Sequence, residues 1–389
     1  MAEARAPRAM RIPPWLAALG PLVLVAALVV VFLVTDPIGE LREVPPVESV
    51  AVERTVLTEN KITLRVRNDG PDPVTISQVL VNDAYWNFSM GDRKLERLES
   101  ATIELDYPWD EGLPVAIGMV TSTGLVIEHE IEAAALTPEA DASTLGIYAL
   151  LGLYIGVIPV AVGLLWFPAL RRASRRWLDF FLAFTAGLLV FLLIDTTEEG
   201  LELAAEAGAA LNAVSLFGIG ALGAVVGLIA LGNALSESRG ASGLLLAYLI
   251  AVGIGLHNLG EGLAVGAALA AGEIALGTFL VLGFALHNTT EGLAIVAPLG
   301  GRRERPSLWH FAAMGALAGV PTILGAWAGG FAFSPGWGAL AFGVAAGAIA
   351  QVVWAIGRSM GMGRLAAGAG AVGLVCGLLV MYVTGLLTA

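Results

Sequence analysis

The sequence predicts an all-α membrane protein with an eight-helix transmembrane core, one N-terminal anchor helix and a small extracytoplasmic β-sandwich. Three observations predict this class. The 389 residues are 57% hydrophobic and only 14% charged, against about 25% charged residues in average soluble proteins. Long uncharged runs recur through the last two-thirds of the chain. Between residues 44 and 133, by contrast, apolar and polar residues alternate with a period of two.

The N-terminal segment, residues 1–36, is expected to be a cytoplasmic tip followed by a membrane anchor. Its apolar run from Ile12 to Thr35 carries no charge and reaches the length that a spanning helix needs, roughly 20 residues. Three arginines precede it: Arg5, Arg8 and Arg11. No small-x-small cleavage site is evident before Asp36, which favours an uncleaved signal anchor over a cleaved signal peptide.

The next segment, residues 37–142, is expected to form the β-sandwich. Ile62, Leu64 and Val66 alternate with polar residues, and the turn cluster 68–71 separates them from a second alternation. Runs of period two that are split by Gly, Pro, Asn and Asp indicate antiparallel strands. The strand pattern resembles a small immunoglobulin-like or adhesion-type sandwich, a weak signal that identifies no partner.

The third segment, residues 143–389, is expected to form the eight-helix core, because apolar stretches of spanning length recur there. The predicted spans are 144–169, 177–201, 209–234, 242–271, 273–299, 308–331, 335–357 and 364–388. Most of the 49 glycines lie in this part of the chain. Small residues let membrane helices approach closely. This closeness matters because helices in lipid associate by van der Waals packing instead of the hydrophobic effect.

The charges in the connecting segments predict the orientation. With the N-terminus in the cytoplasm, the cytoplasmic segments hold thirteen arginines: Arg5, Arg8, Arg11, Arg171, Arg172, Arg175, Arg176, Arg239, Arg302, Arg303, Arg305, Arg358 and Arg364. The opposite connections between core spans hold no Lys or Arg. The positive-inside rule therefore places the β-sandwich and the C-terminus outside the cytoplasm. We expect an integral protein of the cell membrane of a prokaryote.

The formal net charge of -12 belongs mainly to the β-sandwich segment. Residues 36–141 contain 21 acids and 8 basic residues, so the rest of the chain is nearly neutral. An acidic chain is not expected to bind nucleic acid. Cys376 is the only cysteine, which excludes a disulfide scaffold. The abundance of Leu, Ile and Val excludes a disordered chain.

Two copies of a short motif lie in predicted spans four and five, 30 residues apart. The shared pattern is L-H-N-x-x-E-G-L-A, beginning at Leu256 and at Leu286. Positions i, i+1 and i+4 lie on one side of a helix. Because consecutive spans run antiparallel, we expect six side chains to converge near the bilayer centre: His257, Asn258, Glu261, His287, Asn288 and Glu291.

Two glutamates near the bilayer centre need compensation, since each charge there costs at least about 2.5–3.5 kcal/mol. A divalent cation neutralises both, and mixed nitrogen and oxygen ligands suit zinc, iron(II) or manganese(II). The alternative is that His and Glu only form hydrogen bonds between helices. Two copies at matching depth favour the metal. The other two histidines, His129 and His310, are expected at solvated or interfacial positions.

The paired H-N-x-x-E-G motif resembles that of the ZIP (Zrt-/Irt-like) divalent metal transporters. The predicted eight-span core with both ends outside is also similar to theirs, and the resemblance covers residues 143–389. It implies a principal transport site made of four side chains: His257, Glu261, His287 and Glu291. It also implies that Asn258 and Asn288 contribute to a second, adjacent metal position that shares the glutamates.

Several positions depart from the ZIP pattern. The family usually has proline before the motif glutamate, where this chain has Gly260 and Thr290. In span six the family often has a bridging carboxylate, and the corresponding stretch here offers Thr322. Span seven lacks the family's acids, so that Gln351 is its main polar candidate. The loop between spans three and four is reduced to residues 236–240, and no metal-sensing loop is expected.

Five acidic residues lie at the end of predicted span two and just beyond it. We call them the acidic group: Asp195, Glu198, Glu199, Glu202 and Glu206. Four of these acids follow i, i+4, i+7, i+11 spacing and form one stripe along the helix, which the predicted orientation places at the outer mouth. A cation-attracting entrance and a solvated helix end both explain the stripe. Asp195 is the deepest of the group and the first choice as an accessory site residue.

The predicted function is passage of a divalent metal ion into the cytoplasm, zinc first and iron or manganese next, by alternating access around a midplane site. The only lysines, Lys61 and Lys94, lie in the β-sandwich segment, so the chain has no P-loop. We expect no enzyme activity and no nucleotide. The alternatives are an intramembrane zinc-dependent hydrolase and a non-transporting metal sensor. Expected partners are membrane lipid and metal ions, with a homodimer left open.

Overall fold

A computed structural model describes residues 14–35, 46–131, 133–208, 211–239, 243–270, 274–301 and 306–386. The chain divides into two compact units, Met1–Val47 and Glu48–Ala389. The first unit contains helix α1 (Pro14–Thr35), which is apolar throughout. Some arginines of the predicted cytoplasmic segments lie outside the described residues: Arg5, Arg8, Arg11, Arg302, Arg303 and Arg305.

The second unit begins with a small β domain of two antiparallel sheets. Its strands are β1 (Val50–Thr58), β2 (Lys61–Asn68), β3 (Val74–Val81), β4 (Ala84–Trp86), β5 (Ser89–Met90), β6 (Lys94–Leu95), β7 (Ser100–Leu105), β8 (Val115–Thr121) and β9 (Val126–Ile131). One sheet has the order β1-β2-β7-β5, and the other has the order β4-β3-β8-β9 with β6 beside β3. Ile62, Leu64 and Val66 alternate into the shared core and are fully buried, because successive side chains of a strand point to opposite faces.

The remainder of the second unit is helical. Its helices are α2 (Ala142–Gly152), α3 (Ile158–Leu164), α4 (Phe167–Arg171), α5 (Arg175–Glu206), α6 (Ala213–Arg239), α7 (Gly243–Ala270), α8 (Ile274–Val296), α9 (Leu308–Ala332), α10 (Pro335–Met360), α11 (Met362–Leu365) and α12 (Ala369–Gly385). Among the described residues, seven helical segments are long and apolar enough to cross a membrane. The protein is therefore a mostly helical integral membrane protein with a small β domain.

Two predicted spans differ from regular, full-length helices. The last one, predicted over 364–388, contains α12 with 17 residues, fewer than the roughly 20 that a bilayer usually requires. The first one, predicted over 144–169, is divided by a π-helical turn at Leu153–Val157. Its N-terminus is capped by Asp141, which accepts a hydrogen bond from the Thr144 amide at 2.7 Å. That bond holds the pKa of Asp141 below its usual value.

Glycines set the distances between the core helices. A Cβ built on Gly262 of α7 would lie 2.1 Å from the Thr322 carbonyl oxygen of α9, and one on Gly329 would lie 2.1 Å from the Leu263 oxygen. Backbones this close exclude any side chain at the contact. Contacts of this kind join α7 to α9 (Gly255, Gly262, Gly266, Gly325, Gly329), the first span to α9 (Gly152, Gly156, Gly319), α3 to α8 (Gly163, Gly292), α5 to α12 (Gly187, Gly373, Gly377) and α6 to α10 (Gly220, Gly343, Gly347).

These close contacts join α2, α3, α7, α8 and α9 into one set, and they pair α5 with α12 and α6 with α10. The two pairs come together because α5 packs on α10. We call α2, α3, α7, α8 and α9 the α7 group, and α5, α6, α10 and α12 the α5 group. The groups also touch, but through side chains: Gly253 of α7 faces the Val352 side chain, and Gly260 faces the ring of Phe342. Helices of the α7 group are thus joined backbone to backbone, whereas these contacts with the α5 group are made by side chains.

The glycine contacts generate the first prediction. Gly329→Ala places a methyl group against the Leu263 carbonyl and is expected to destabilise the protein by about 1–3 kcal/mol, as overpacking does. Thermal unfolding of the detergent-solubilised full chain measures this. The matched control is Gly223→Ala in α6, because nothing lies within 4 Å of a Cβ at that position. Equal melting temperatures for the two variants would contradict the assigned α7–α9 packing.

Candidate metal site

The two motif copies lie on α7 and α8, and the structure brings their polar side chains together in the interior of the core. All six side chains are buried: His257, Asn258, Glu261, His287, Asn288 and Glu291. The ring centroids of His257 and His287 are 6.4 Å apart. Every one of these residues belongs to the α7 group of helices.

Glu261 is the point at which the two motif copies meet. Its Oε1 contacts Nε2 of His287 on the neighbouring helix, and Nε2 of His257 lies 3.3 Å from the same oxygen. Its Oε2 accepts a hydrogen bond from Nδ2 of Asn288 at 2.8 Å. Both oxygens of this buried carboxylate are therefore satisfied by the α8 copy of the motif, as burial of a charged group requires.

Glu291 is in the opposite situation. Among the described residues, neither of its carboxylate oxygens has a hydrogen-bond partner, although both are buried. The Asn258 side chain lies next to it. One carboxylate oxygen of Glu291 and one ring nitrogen each of His257 and His287 all lie within 4.8 Å of one another. Two imidazoles and a carboxylate at this spacing are a ligand set that first-row divalent metals accept.

The two asparagines supply further oxygen atoms to this region. Nδ2 of Asn258 donates to the Ala318 carbonyl oxygen at 3.0 Å, and Nδ2 of Asn288 donates to the Ile155 carbonyl oxygen at 3.1 Å. The Oδ1 atoms of both amides are buried, and no described residue hydrogen-bonds to them. Anchoring through nitrogen leaves these oxygens available as cation ligands, which suits hard or borderline divalent ions.

The Ile155 carbonyl is free to accept because of Pro159. A helical carbonyl normally accepts from the amide four residues later, and proline has no N–H to donate. Ile155 also lies in the π-helical turn at Leu153–Val157, a deviation that is frequent at functional sites. We did not predict this contact, although the proline four residues after Ile155 is a visible signal for it.

Thr196 is a second residue that the sequence analysis missed. It lies on α5, is 1% exposed, and its Oγ1 lies 3.0 Å from Nδ1 of His257. A partner on one ring nitrogen orients the ring and presents the other nitrogen to the site. Thr196 directly follows Asp195 in the acidic group, but a threonine in an apolar helix is too common to be singled out from sequence.

The predicted accessory residues differ in their exposure and in their interactions with the motif side chains. Asp195 is exposed and lies near enough to His257 and His287 to interact electrostatically. Glu199 is half-buried, while Glu198 and Glu202 are exposed. Among the described contacts, no hydrogen bond or ion pair joins Glu198, Glu202 or Gln351 to the six motif side chains. Glu206 lines a cavity of about 410 Å³ between the β domain and the ends of α5, α7 and α9.

Thr322 and Gln351 are buried side chains, and within the described ranges Oγ1 of the first and Oε1 of the second have no hydrogen-bond partner. Thr322 packs against Gly156 in the π-helical turn, where a Cβ would lie 2.1 Å from its Oγ1. Of the two positions directly before the motif glutamates, Thr290 donates back to the His287 carbonyl oxygen at 2.6 Å. Gly260 faces the Phe342 ring.

The two other histidines belong to separate environments. His129 lies on β9, half-buried, with Nε2 2.9 Å from Oγ1 of Thr55, and burial lowers its pKa. Its ring is therefore neutral at pH 7 and adds no positive charge to the cavity that it lines. Nδ1 of His310, near the start of α9, lies 2.8 Å from the Tyr248 hydroxyl.

The Thr196 contact generates a prediction about metal affinity. Thr196→Val keeps the side-chain volume but removes the bond to Nδ1 of His257, and is expected to weaken metal binding about 10-fold to 100-fold, as loss of a ligand-orienting bond does. Equilibrium binding to the purified protein measures this. Thr197→Val is the matched control, since Oγ1 of Thr197 donates to the Leu193 carbonyl of its own helix. Equal affinities of the two variants would show that Thr196 does not orient His257.

Comparison with known proteins assigns no family to this chain. No family model matches the sequence, and no curated protein matches it significantly. The functional interpretation therefore depends on the geometry of the two motif copies and on the chemistry of their side chains.

Proposed function

We propose that this protein transports divalent first-row metal ions across the membrane, with zinc as the first substrate and iron(II) or manganese(II) as further candidates. The observation that carries the proposal is Glu291. Its carboxylate is buried, neither oxygen is hydrogen-bonded within the part of the chain that the structure describes, and it faces two imidazole nitrogens within 4.8 Å.

The charge of the site favours a divalent cation. With neutral imidazoles, the Glu261 and Glu291 carboxylates carry two negative charges in a region that excludes water. Burial of such charges is unfavourable unless they are paired. A single 2+ ion cancels both, and Glu291 with the two imidazoles offers it one oxygen and two nitrogen ligands.

The paired H-N-x-x-E-G motif supports the same function by its resemblance to the ZIP transporters. By that resemblance α12 completes an eight-helix core, with the N-terminus in the cytoplasm and the β domain outside. The distribution of arginines in the connecting segments is consistent with this orientation. Thr322 stands where the family often has a carboxylate, which favours a single principal metal position over a two-metal centre.

The acidic group on α5 fits an entrance to the site. Asp195 and Glu199 interact electrostatically with His257, whereas Glu206 lies at the cavity below the β domain. The carboxylates of Glu206, Glu199 and Asp195 thus lie one after another along α5, from the β-domain end of the core toward the motif side chains. A line of negative charge raises the local concentration of cations and steers them inward.

The central experiment replaces the motif glutamates by their isosteric amides. Glu261→Gln and Glu291→Gln are each expected to reduce zinc uptake into proteoliposomes by more than about tenfold, because each removes a charge that holds the ion. Glu128→Gln on β9 is the control, since it makes the same charge change at an exposed position. Undiminished uptake in both motif variants would overturn the site assignment.

The same assay separates the proposal from its alternatives. Wild-type protein that binds zinc but does not carry it into liposomes would point to a sensor. A hydrolase would cleave a substrate without net uptake. Only ion accumulation that depends on Glu261 and Glu291 supports the transporter.

The entrance is tested through its salt dependence. The double variant Glu199→Gln/Glu202→Gln is expected to raise the zinc concentration for half-maximal uptake at low ionic strength and to leave the maximal rate unchanged. The difference from wild type should shrink above about 0.1 M salt, where the screening length falls to about 10 Å. Glu111→Gln, exposed in the β domain, is the control. A salt-independent difference would indicate direct ligation instead of steering.

A further inference from the structure

The β domain contacts the end of α5 through a buried arginine. Arg67 of β2 is 7% exposed, and its Nη2 donates to the Ala207 carbonyl oxygen at 3.0 Å. Ala207 is the C-cap residue of α5, directly after Glu206. The same guanidinium pairs with Glu53 of β1. The contact between β domain and helix is therefore a charged hydrogen bond shielded from water.

The residue that follows Ala207 fits the same surface. Gly208 has a φ of +81°, a conformation that glycine adopts without strain and that commonly follows a helix end. A Cβ at this position would lie 2.2 Å from Oδ2 of Asp69, which neighbours Arg67 in the β domain. The end of α5 thus reaches the β domain more closely than any residue with a side chain would allow.

The β domain is also attached to the α7 group. A guanidinium nitrogen of Arg54 on β1 donates to the Phe331 carbonyl oxygen in the last turn of α9. The segment that leads into α2 runs back along β1, since Thr137 Oγ1 accepts from the Leu57 amide and the Thr137 amide donates to the Leu57 oxygen, both at 2.9 Å. One face of the β domain therefore contacts helices of both groups.

Both arginine contacts have the same physical basis. The last four carbonyl groups of a helix lack partners within the helix, and the aligned peptide dipoles make that end partly negative. A cation that donates to these carbonyls satisfies one of them and interacts favourably with the dipole. Burial of Arg67 keeps water and salt from screening its contact with α5.

The two helices that these arginines contact, α5 and α9, are not closely packed against each other. Within the described residues, α9 packs on α7 and the first span, α5 packs on α10 and α12, and the contact between α5 and α9 is at most marginal. We propose that the β domain is a clamp that holds the end of α5 at a fixed position relative to the α7 group, through Arg67 and Asp69 on one side and Arg54 on the other.

Helix α5 links the clamp to the motif side chains. Thr196, which contacts His257, lies about three helical turns before Ala207 on the same helix. All six motif side chains belong to the α7 group. The position of α5 at its β-domain end therefore influences the Thr196–His257 contact. This inference is independent of which ion the site binds.

The distance between the two groups tests the clamp directly. Spin labels at Ala205→Cys on α5 and Ala328→Cys on α9, both exposed positions, report it in the reconstituted full chain without metal. Cys376→Ser removes the only native cysteine. Arg67→Gln is expected to shift the label distance to longer values and to broaden its distribution. Gly208→Ala leaves every β strand unaltered and changes only the helical side of the contact. It is expected to produce the same change in label distance.

Two controls make the result specific. Lys61→Gln removes a cation from the same strand, but Lys61 pairs with Glu104 inside the β domain at 2.8 Å, and we expect an unchanged distance. Labels at Leu150→Cys and Ala328→Cys, both exposed and both within the α7 group, should also be unaffected by Arg67→Gln. Unchanged Ala205–Ala328 distances in Arg67→Gln and in Gly208→Ala would overturn the clamp, whatever the outcome of the uptake assay.

Discussion

The constraint on which this structure depends is the burial of two carboxylates among membrane helices. Burial removes these carboxylates from bulk solvent, so that side chains or a bound ion must supply their partners. Glu261 receives its partners from the second motif copy, through His287 and Asn288. Glu291 receives none from the described residues. This difference between two otherwise equivalent residues makes the site asymmetric, and an asymmetric site with one unsatisfied carboxylate beside two imidazoles is suited to accept a cation.

Helix packing follows from the same need for closeness. Polar side chains that satisfy one another across helices require short distances between backbones, and in this chain glycines provide them. Gly262 and Gly329 bring α7 against α9, which places the Ala318 carbonyl within reach of Asn258. The motif side chains consequently sit in one closely packed group of helices. Thr196 reaches them from the other group, across a contact made by side chains.

Much of this organisation could be predicted from local sequence. The apolar runs, the alternation at Ile62, Leu64 and Val66, and the common face of each motif copy depend on periodicity, which secondary structure alone determines. The π-helical turn in the first span, the shortness of α12 and the hydrogen bond from Arg67 to Ala207 could not be predicted in this way. Each depends on which distant segment lies alongside. Pro159 predicts that the Ile155 carbonyl lacks its usual helical partner, but it does not predict that Asn288 donates to that carbonyl.

The sequence by itself determined that this is a membrane protein, that it carries a small acidic β domain, and that two H-N-x-x-E motifs present the same face of two helices. These are consequences of composition and of helical or strand period. Only the tertiary structure decided that Glu261 is satisfied while Glu291 is not, that Thr196 holds His257, and that the β domain contacts the ends of α5 and α9. The physical reason is that partners of a buried polar group are chosen by proximity in space, and residues 61 or 140 positions apart in the chain become neighbours only when the helices pack.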